Sequence, residues 1–365
     1  MLIKEARAAA RDWVREHVSG QPWFVGAYFS GSTVGLPDAA EVPLGSDTDV
    51  MVVTADPDPP TKPGKFTHRG ALVEVSLVPE AVLASADEVL ADYHLAGAFR
   101  TDTLIADPTG RLGRLQRDVA ERFAEPDWAR RRYQHALARV RNGLTRYDRG
   151  DLDPAAPWPE LVIGWLFPTG VSTHVLLAAG LRNPTVRLRY LRTRELLAEH
   201  GLLAAYPPLL ADLGCAELTA ERAEVHLAAL ADAFDTAAGV ARTPFPFRSD
   251  VSPAARPIAV DGTRELVRAG HHREVLFWLV ASYARCQLVL AADGTPDQRA
   301  AHAPGFTALL ADLGIHTTED LAARARRTLG RLPELTETAE RLLAASTVPA
   351  ASTVPAATRS ARPLG

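Results

Sequence analysis

Two aspartates one residue apart, Asp47 and Asp49, lead into the apolar run Val50-Met51-Val52-Val53, and a small-residue turn, Ser30-Gly31-Ser32-Thr33, closes an earlier run from Phe24 to Phe29. On a strand, side chains at i and i+2 leave the same face, so both carboxylates project together. Like charges held that close repel and call for a divalent cation between them. The small residues of the turn let backbone N–H groups approach an anion. A third acid, Glu74, interrupts the β-prone run Ala71 to Val78, a costly place for a charge without a metal or a basic partner. Three oxygen ligands with open positions suit Mg²⁺, which keeps waters and substrate phosphates in its octahedron. Asp47, Asp49 and Glu74 are thus the candidate metal ligands. Gly31, Ser32 and Thr33, together with Ser46, are the candidate phosphate contacts.

Gly31-Ser32, Asp47-Thr48-Asp49-Val50 and Glu74 together resemble the DNA polymerase β-like nucleotidyltransferases, within them the small-molecule branch that includes the kanamycin and lincosamide nucleotidyltransferases. The likeness covers the first third of the chain. It implies that the G-S turn contacts the phosphates of an NTP, that the paired acids bind two Mg²⁺ ions, and that the third acid completes the metal site or acts as base. It implies transfer of a nucleoside monophosphate to a hydroxyl of an aminoglycoside-like or lincosamide-like molecule, or of a natural-product intermediate, with release of pyrophosphate. The insert Leu36 to Ser46 lengthens the gap before the first Asp and implies an extra loop over the site. Glu74 stands where Asp is commoner, which leaves its role as ligand or base open.

Positioning these residues requires an α+β chain. The expected order is a nucleotidyltransferase domain over 1–112, a small mixed sheet with flanking helices, and then an all-helical region forming the other wall of a cleft. The helical region divides into 113–242 and 261–345 around a proline-rich connector, 243–260, with a disordered tail over 346–365 where STVPAA occurs twice. Residues 1 to 19 read as an amphipathic helix, and Trp128 to Tyr147 as a long basic one. Asn183-Pro184 reads as the cap and first turn of a helix ending at Gly201, Thr263 to Ala291 as one buried helix, and Ala322 to Ala344 as the last. Leu161 to Leu181 is long and apolar enough for a membrane span, but Pro168-Thr169-Gly170 splits it, and two buried core helices around a loop are expected instead.

Several further residues have two readings each. Glu160, at the edge of that apolar stretch, is either the base that takes the acceptor hydroxyl's proton, as the helical domain supplies in aminoglycoside-modifying relatives, or an exposed acid at a helix N-terminus. Arg187 and Arg194 lie seven apart on the expected helix and either grip phosphates or pair with neighbouring acids. Lys62 and Lys65 either reach the triphosphate or are solvated in the proline-rich turn Asp56 to Gly64, the simpler reading. His174 reads as a buried histidine with a hydrogen-bond partner, and His271-His272, adjacent on a helix, as a poor joint ligand set.

The whole chain, 365 residues with 47% hydrophobic content and a formal charge of -4, has an ordinary globular composition. Of its 40 basic residues only Lys4, Lys62 and Lys65 are lysines. That balance argues against a broad phosphate-backbone surface, so NTP and a small acceptor are the expected partners, without nucleic acid or membrane and compatibly with a homodimer. Cys215 and Cys286 lack any C-x-x-C, and free thiols in a reducing cytoplasm are expected. The competing classes are transfer of AMP to a protein, as in toxin–antitoxin systems, transfer to nucleic acid, and a non-catalytic nucleotide sensor.

Overall fold

The structure, a computed structural model, describes residues 1–55, 62–245 and 247–347. It begins with α1 (Ile3–His17), whose Ile3, Ala6, Ala9, Ala10, Trp13 and Val14 recur at helical spacing and are buried on one stripe. Strands β1 (Phe24–Ser30), β2 (Thr48–Thr54), β3 (Gly64–His68) and β4 (Ala71–Pro79) follow. After α2 (Ala86–Ala91) and α3 (Ala96–Phe99) comes the last strand, β5 (Leu104–Ala106). The five strands form one mixed sheet in the order β3-β4-β2-β1-β5, with β2 and β4 parallel and the other pairs antiparallel. β3 and β4 are joined by Arg69 and Gly70, both at positive φ, the two-residue turn whose twist matches a hairpin.

Alternation decides the two faces of the sheet. Ala27, Phe29, Val50, Val52, Val73 and Val75 pack against α1. Tyr28 and Met51 point the other way, onto α2, α3 and α4 (Arg111–Arg122) at one end of that face. At the other end the sheet residues face the helices that follow.

These are α5 (Pro126–Arg149), α6 (Trp158–Ala179), α7 (Arg189–Glu199), α8 (Pro207–Leu213), α9 (Ala220–Val240), α10 (Gly262–Arg268), α11 (Leu276–Asp293), α12 (Pro296–Asp312), α13 (Thr318–Gly330) and α14 (Leu332–Thr347). One hydrophobic core runs through them. Within it α6 and α11 are long and apolar enough to cross a membrane by length and composition, and their most apolar windows are 72% and 78% buried. Contrary to expectation, α6 continues through Pro168 as one helix. The proline faces Gly143 of α5, where a Cβ would stand 2.4 Å from its ring, so close packing of α5 on α6 accommodates it.

Three other expected helices differ. Asn183-Pro184 does not open a helix, because α7 starts only at Arg189, and residues 182–185 have no regular structure. The expected helix Thr263 to Ala291 is two, α10 and α11, separated by a turn around Gly270 at positive φ. The last expected helix is likewise α13 and α14. Residues 56–61 of the proline-rich turn and the tail beyond Thr347 lie outside the described residues.

Candidate functional site

The register of the sheet brings together residues far apart in sequence. Ser30 of β1 lies opposite Asp49 of β2, Asp49 opposite Glu74 of β4, and Glu74 opposite Lys65 of β3. Directly opposed residues share a face, so Ser30, Asp49, Glu74 and Lys65 form a row across four strands, on the side away from α1. Asp47, just before β2, joins them. Ligand oxygens of Asp47, Asp49 and Glu74 all lie within 4.8 Å of one another. Three hard oxygen donors at that separation fit a divalent cation of the Mg²⁺ class.

Gly31 follows Ser30 at φ +75°, and a Cβ there would stand 1.7 Å from Oδ2 of Asp49. The carboxylate therefore lies directly over the turn's backbone, and only glycine leaves it room. The row opens into a cavity of about 340 Å³. Ser32 and Ser46 line it, whereas Thr33 does not: it is buried, and its carbonyl accepts an N–H of Arg7 at 2.9 Å. Arg7 also donates to the carbonyls of Val34 and Leu36, so a residue of α1 fixes the loop after the turn.

Lys65 is not a loop lysine. Its ammonium, on a side chain only 7% exposed, contacts Glu74, Asp47 at 3.3 Å and Asp250 at 2.8 Å, while Lys62 stands 3.4 Å from Glu74. Burial by itself would lower the Lys65 pKa, but Asp250, Asp47 and Glu74 overcome it and raise the value. Burial, then Asp47 and Glu74, hold the Asp49 carboxyl well above the usual carboxylate range. Burial also raises Asp47, against the opposing charge of Lys65. Asp250 goes the other way. Burial would raise it, yet Arg285 and Lys65 hold it below its ordinary value.

Removing the Lys65 charge while keeping its length, in Lys65→Met, leaves several carboxylates with much of their compensation gone. Breaking such buried pairing costs about 3 kcal/mol. The expected result in metal-free buffer is a lower melting temperature for the variant, with Mg²⁺ titration restoring more stability to it than to the wild type. A metal-independent loss would show that Lys65 serves packing alone.

The opposite wall of the cavity is helical. Asn183 donates from Nδ2 to the carbonyl of Gly31 at 2.9 Å, which ties residues 182–188 to the turn. His174 braces the same segment, with Nε2 placed 3.0 Å from the carbonyl of Thr185. Burial, then Arg189, press its pKa well below the ordinary value, so the neutral ring donates from Nε2, as a structural histidine. Arg187 lines the cavity beside Gly45, but from the segment before α7 and not from a helix face. Arg194 is elsewhere. It pairs with the buried Glu274 at 2.8 Å and meets His271 Nδ1 at 3.1 Å, so it and Arg187 do not form a joint phosphate grip.

Glu160 is also outside the site. It is exposed in the first turn of α6 and does not line the cavity. Glu160→Gln should leave kcat for any nucleotidyl transfer within about twofold of wild type, since substitutions away from the reacting groups act weakly. A drop of a hundredfold in a steady-state assay would restore it as the base.

Sequence reasoning did not place Asp250, Arg285, Phe167, Trp278 or Asn183, read only as a helix cap, in the site, and all five line the cavity. Arg285 had a signal, a lone basic residue inside the apolar run of α11. Asp250 had none, being one acid of a proline-rich connector. Behind the Asn183 segment a second cavity of about 420 Å³ shares Ser32 and Ser46 and carries Arg100, Arg182 and Arg192. The last two are paired with Glu199 and Glu195. No family model and no curated protein matches this chain.

Proposed function

We propose that this chain is a nucleotidyltransferase that passes a nucleoside monophosphate from an NTP to a hydroxyl of a small molecule. The observation that carries the reading is the row Ser30, Asp49, Glu74, Lys65, with Asp47 beside it and a left-handed glycine turn under Asp49. Asp47, Asp49 and Glu74 would hold Mg²⁺. When bound, Mg²⁺ supplies Lewis-acid neutralisation of the phosphate charge that grows during transfer.

The chain's own groups do the rest. Backbone N–H groups at Gly31-Ser32 and the Ser32 and Ser46 hydroxyls receive phosphate oxygens. Arg187, half-buried, adds a guanidinium that feels the Asp47 charge and has one buried terminal nitrogen unpartnered among the described residues. The acceptor hydroxyl oxygen forms a bond to the α-phosphorus, the bond from that phosphorus to its bridging oxygen breaks, and pyrophosphate leaves. We assign the hydroxyl proton to Glu74, the acid that Lys65 links to Asp250 of the helical wall. The proposal includes a cytoplasmic setting, in keeping with the two free, buried cysteines.

A thermal-shift screen of the four NTPs with Mg²⁺ and with EDTA, coupled to pyrophosphate release with pooled hydroxylated acceptors, tests it. The expected result is stabilisation by at least one NTP only with metal, and pyrophosphate only when an acceptor is present. Absence of any metal-dependent NTP shift would make the acid row structural.

A further inference from the structure

The wall facing the acid row is built for a particular kind of acceptor. Arg285 on α11 has a side chain 4% exposed, and its guanidinium lies 5.5 Å from the ring of Phe167, 4.8 Å from Phe247 and 5.1 Å from Trp278. Trp278 and Arg285 are seven apart on one helix, so they present one face two turns long. All four residues line the cavity. Among the described residues, Nε of Arg285 and Nε1 of Trp278 are buried without a hydrogen-bond partner, while a terminal nitrogen of Arg285 pairs with Asp250 at 3.3 Å. A buried donor left unmade is costly, and two on residues lining one cavity are satisfied together by an oxygen-rich group that accepts without donating.

Charge points the same way. Asp250 is the one acid this wall gives the cavity among the described residues, and it already faces Arg285 at 3.3 Å and Lys65 at 2.8 Å. A polycation would meet two arginines, Arg187 and Arg285, and no free carboxylate on this side.

We propose that this wall is a subsite for an acceptor with an apolar or aromatic body and a carboxylate, and that polycationic aminoglycosides are not its substrates. The body lies on Phe167, Trp278 and Ile258. The carboxylate accepts from Arg285 and Trp278, and a hydroxyl elsewhere on the molecule is left toward Glu74. The inference rests on the nucleotidyltransferase reading for the reaction, but the subsite is read by binding alone.

The probes are 4-hydroxyphenylacetate, the matching alcohol 4-hydroxyphenethyl alcohol, and kanamycin, titrated calorimetrically into full-length protein with and without Mg²⁺ and a non-hydrolysable NTP. The acid should bind wild type about tenfold more tightly than the alcohol, as a charge-assisted bidentate contact warrants. Arg285→Met should erase that difference, and Trp278→Phe, which keeps the ring and loses only the N–H, should weaken the acid about threefold and leave the alcohol unchanged. Equal binding of acid and alcohol to wild type, or tighter binding of kanamycin, overturns the subsite. If Arg285→Met does not fold, Trp278→Phe decides, and an equal loss for acid and alcohol overturns it. The Mg²⁺-dependent NTP shift of wild type, measured in parallel, reports on the acid row separately. Its absence sinks the nucleotidyltransferase reading while the preference for acid over alcohol still stands or falls by itself.

Discussion

Asp49→Asn should abolish the proposed nucleotidyl transfer, by about a thousandfold or more in kcat, and at the same time make the metal-free protein more stable. The two effects have one cause. Asp49 is held by β2 between Asp47 and Glu74, on the one sheet position that Gly31 leaves open, and burial with those two neighbours raises its pKa well above the usual range. A carboxyl with a raised pKa binds more protons in the folded than in the unfolded chain. Stability from it is therefore present at low pH and lost as pH rises beyond the ordinary carboxylate range. The amide removes that loss, so wild type and variant should melt alike in acid and diverge toward neutral pH, the variant being higher by about 1 kcal/mol or more. Mg²⁺ reverses the order by stabilising wild type alone. Melting curves at a series of pH values, with and without Mg²⁺, read both effects, and a variant less stable at neutral pH without metal would contradict this account of the row.

Gly31→Ala should cost at least about a hundredfold in the proposed transfer, although it adds a single methyl and changes no charge. Two terms act together. The backbone at φ +75° disfavours any Cβ by about 1 kcal/mol, and the methyl would stand 1.7 Å from Asp49 Oδ2. Asp49 cannot retreat into the sheet, because β2 is the central strand and its inward neighbours Val50 and Val52 are fully buried against α1. The carboxylate must then swing out of the row. The expected signature is near-normal folding with the Mg²⁺-dependent NTP shift much reduced. An alanine variant that keeps both that shift and its turnover would mean that Asp49 does not need its place over the turn.

The acids and the glycine turn were legible in the sequence because strand geometry is local. Alternation places Asp47 and Asp49 on one side whatever else the chain does, Glu74 stands out as a lone acid in a β-prone run, and a glycine-serine turn after such a run needs no distant partner to be recognised. Glu160, Thr33 and Arg194 were misplaced for the converse reason. Whether an acid at a helix start, a hydroxyl in a turn or an arginine on a helix faces a cavity depends on what packs against it: Arg7 draws the Thr33 loop inward, Glu274 holds Arg194, and Glu160 is left in solvent.

The sequence by itself determined an α+β chain with its acids on strands and most of its helices after them, because periodicities of 2 and 3.6 are written residue by residue. Tertiary structure alone decided the registers that align Ser30, Asp49, Glu74 and Lys65, and the arrival of Asp250, Arg285 and Asn183 from the helical side. Lys65 and Asp250 are 185 positions apart, and no local pattern predicts their contact: it forms because folding buries both in one charge network with Glu74, Asp47 and Arg285, where each charge needs opposite charges around it.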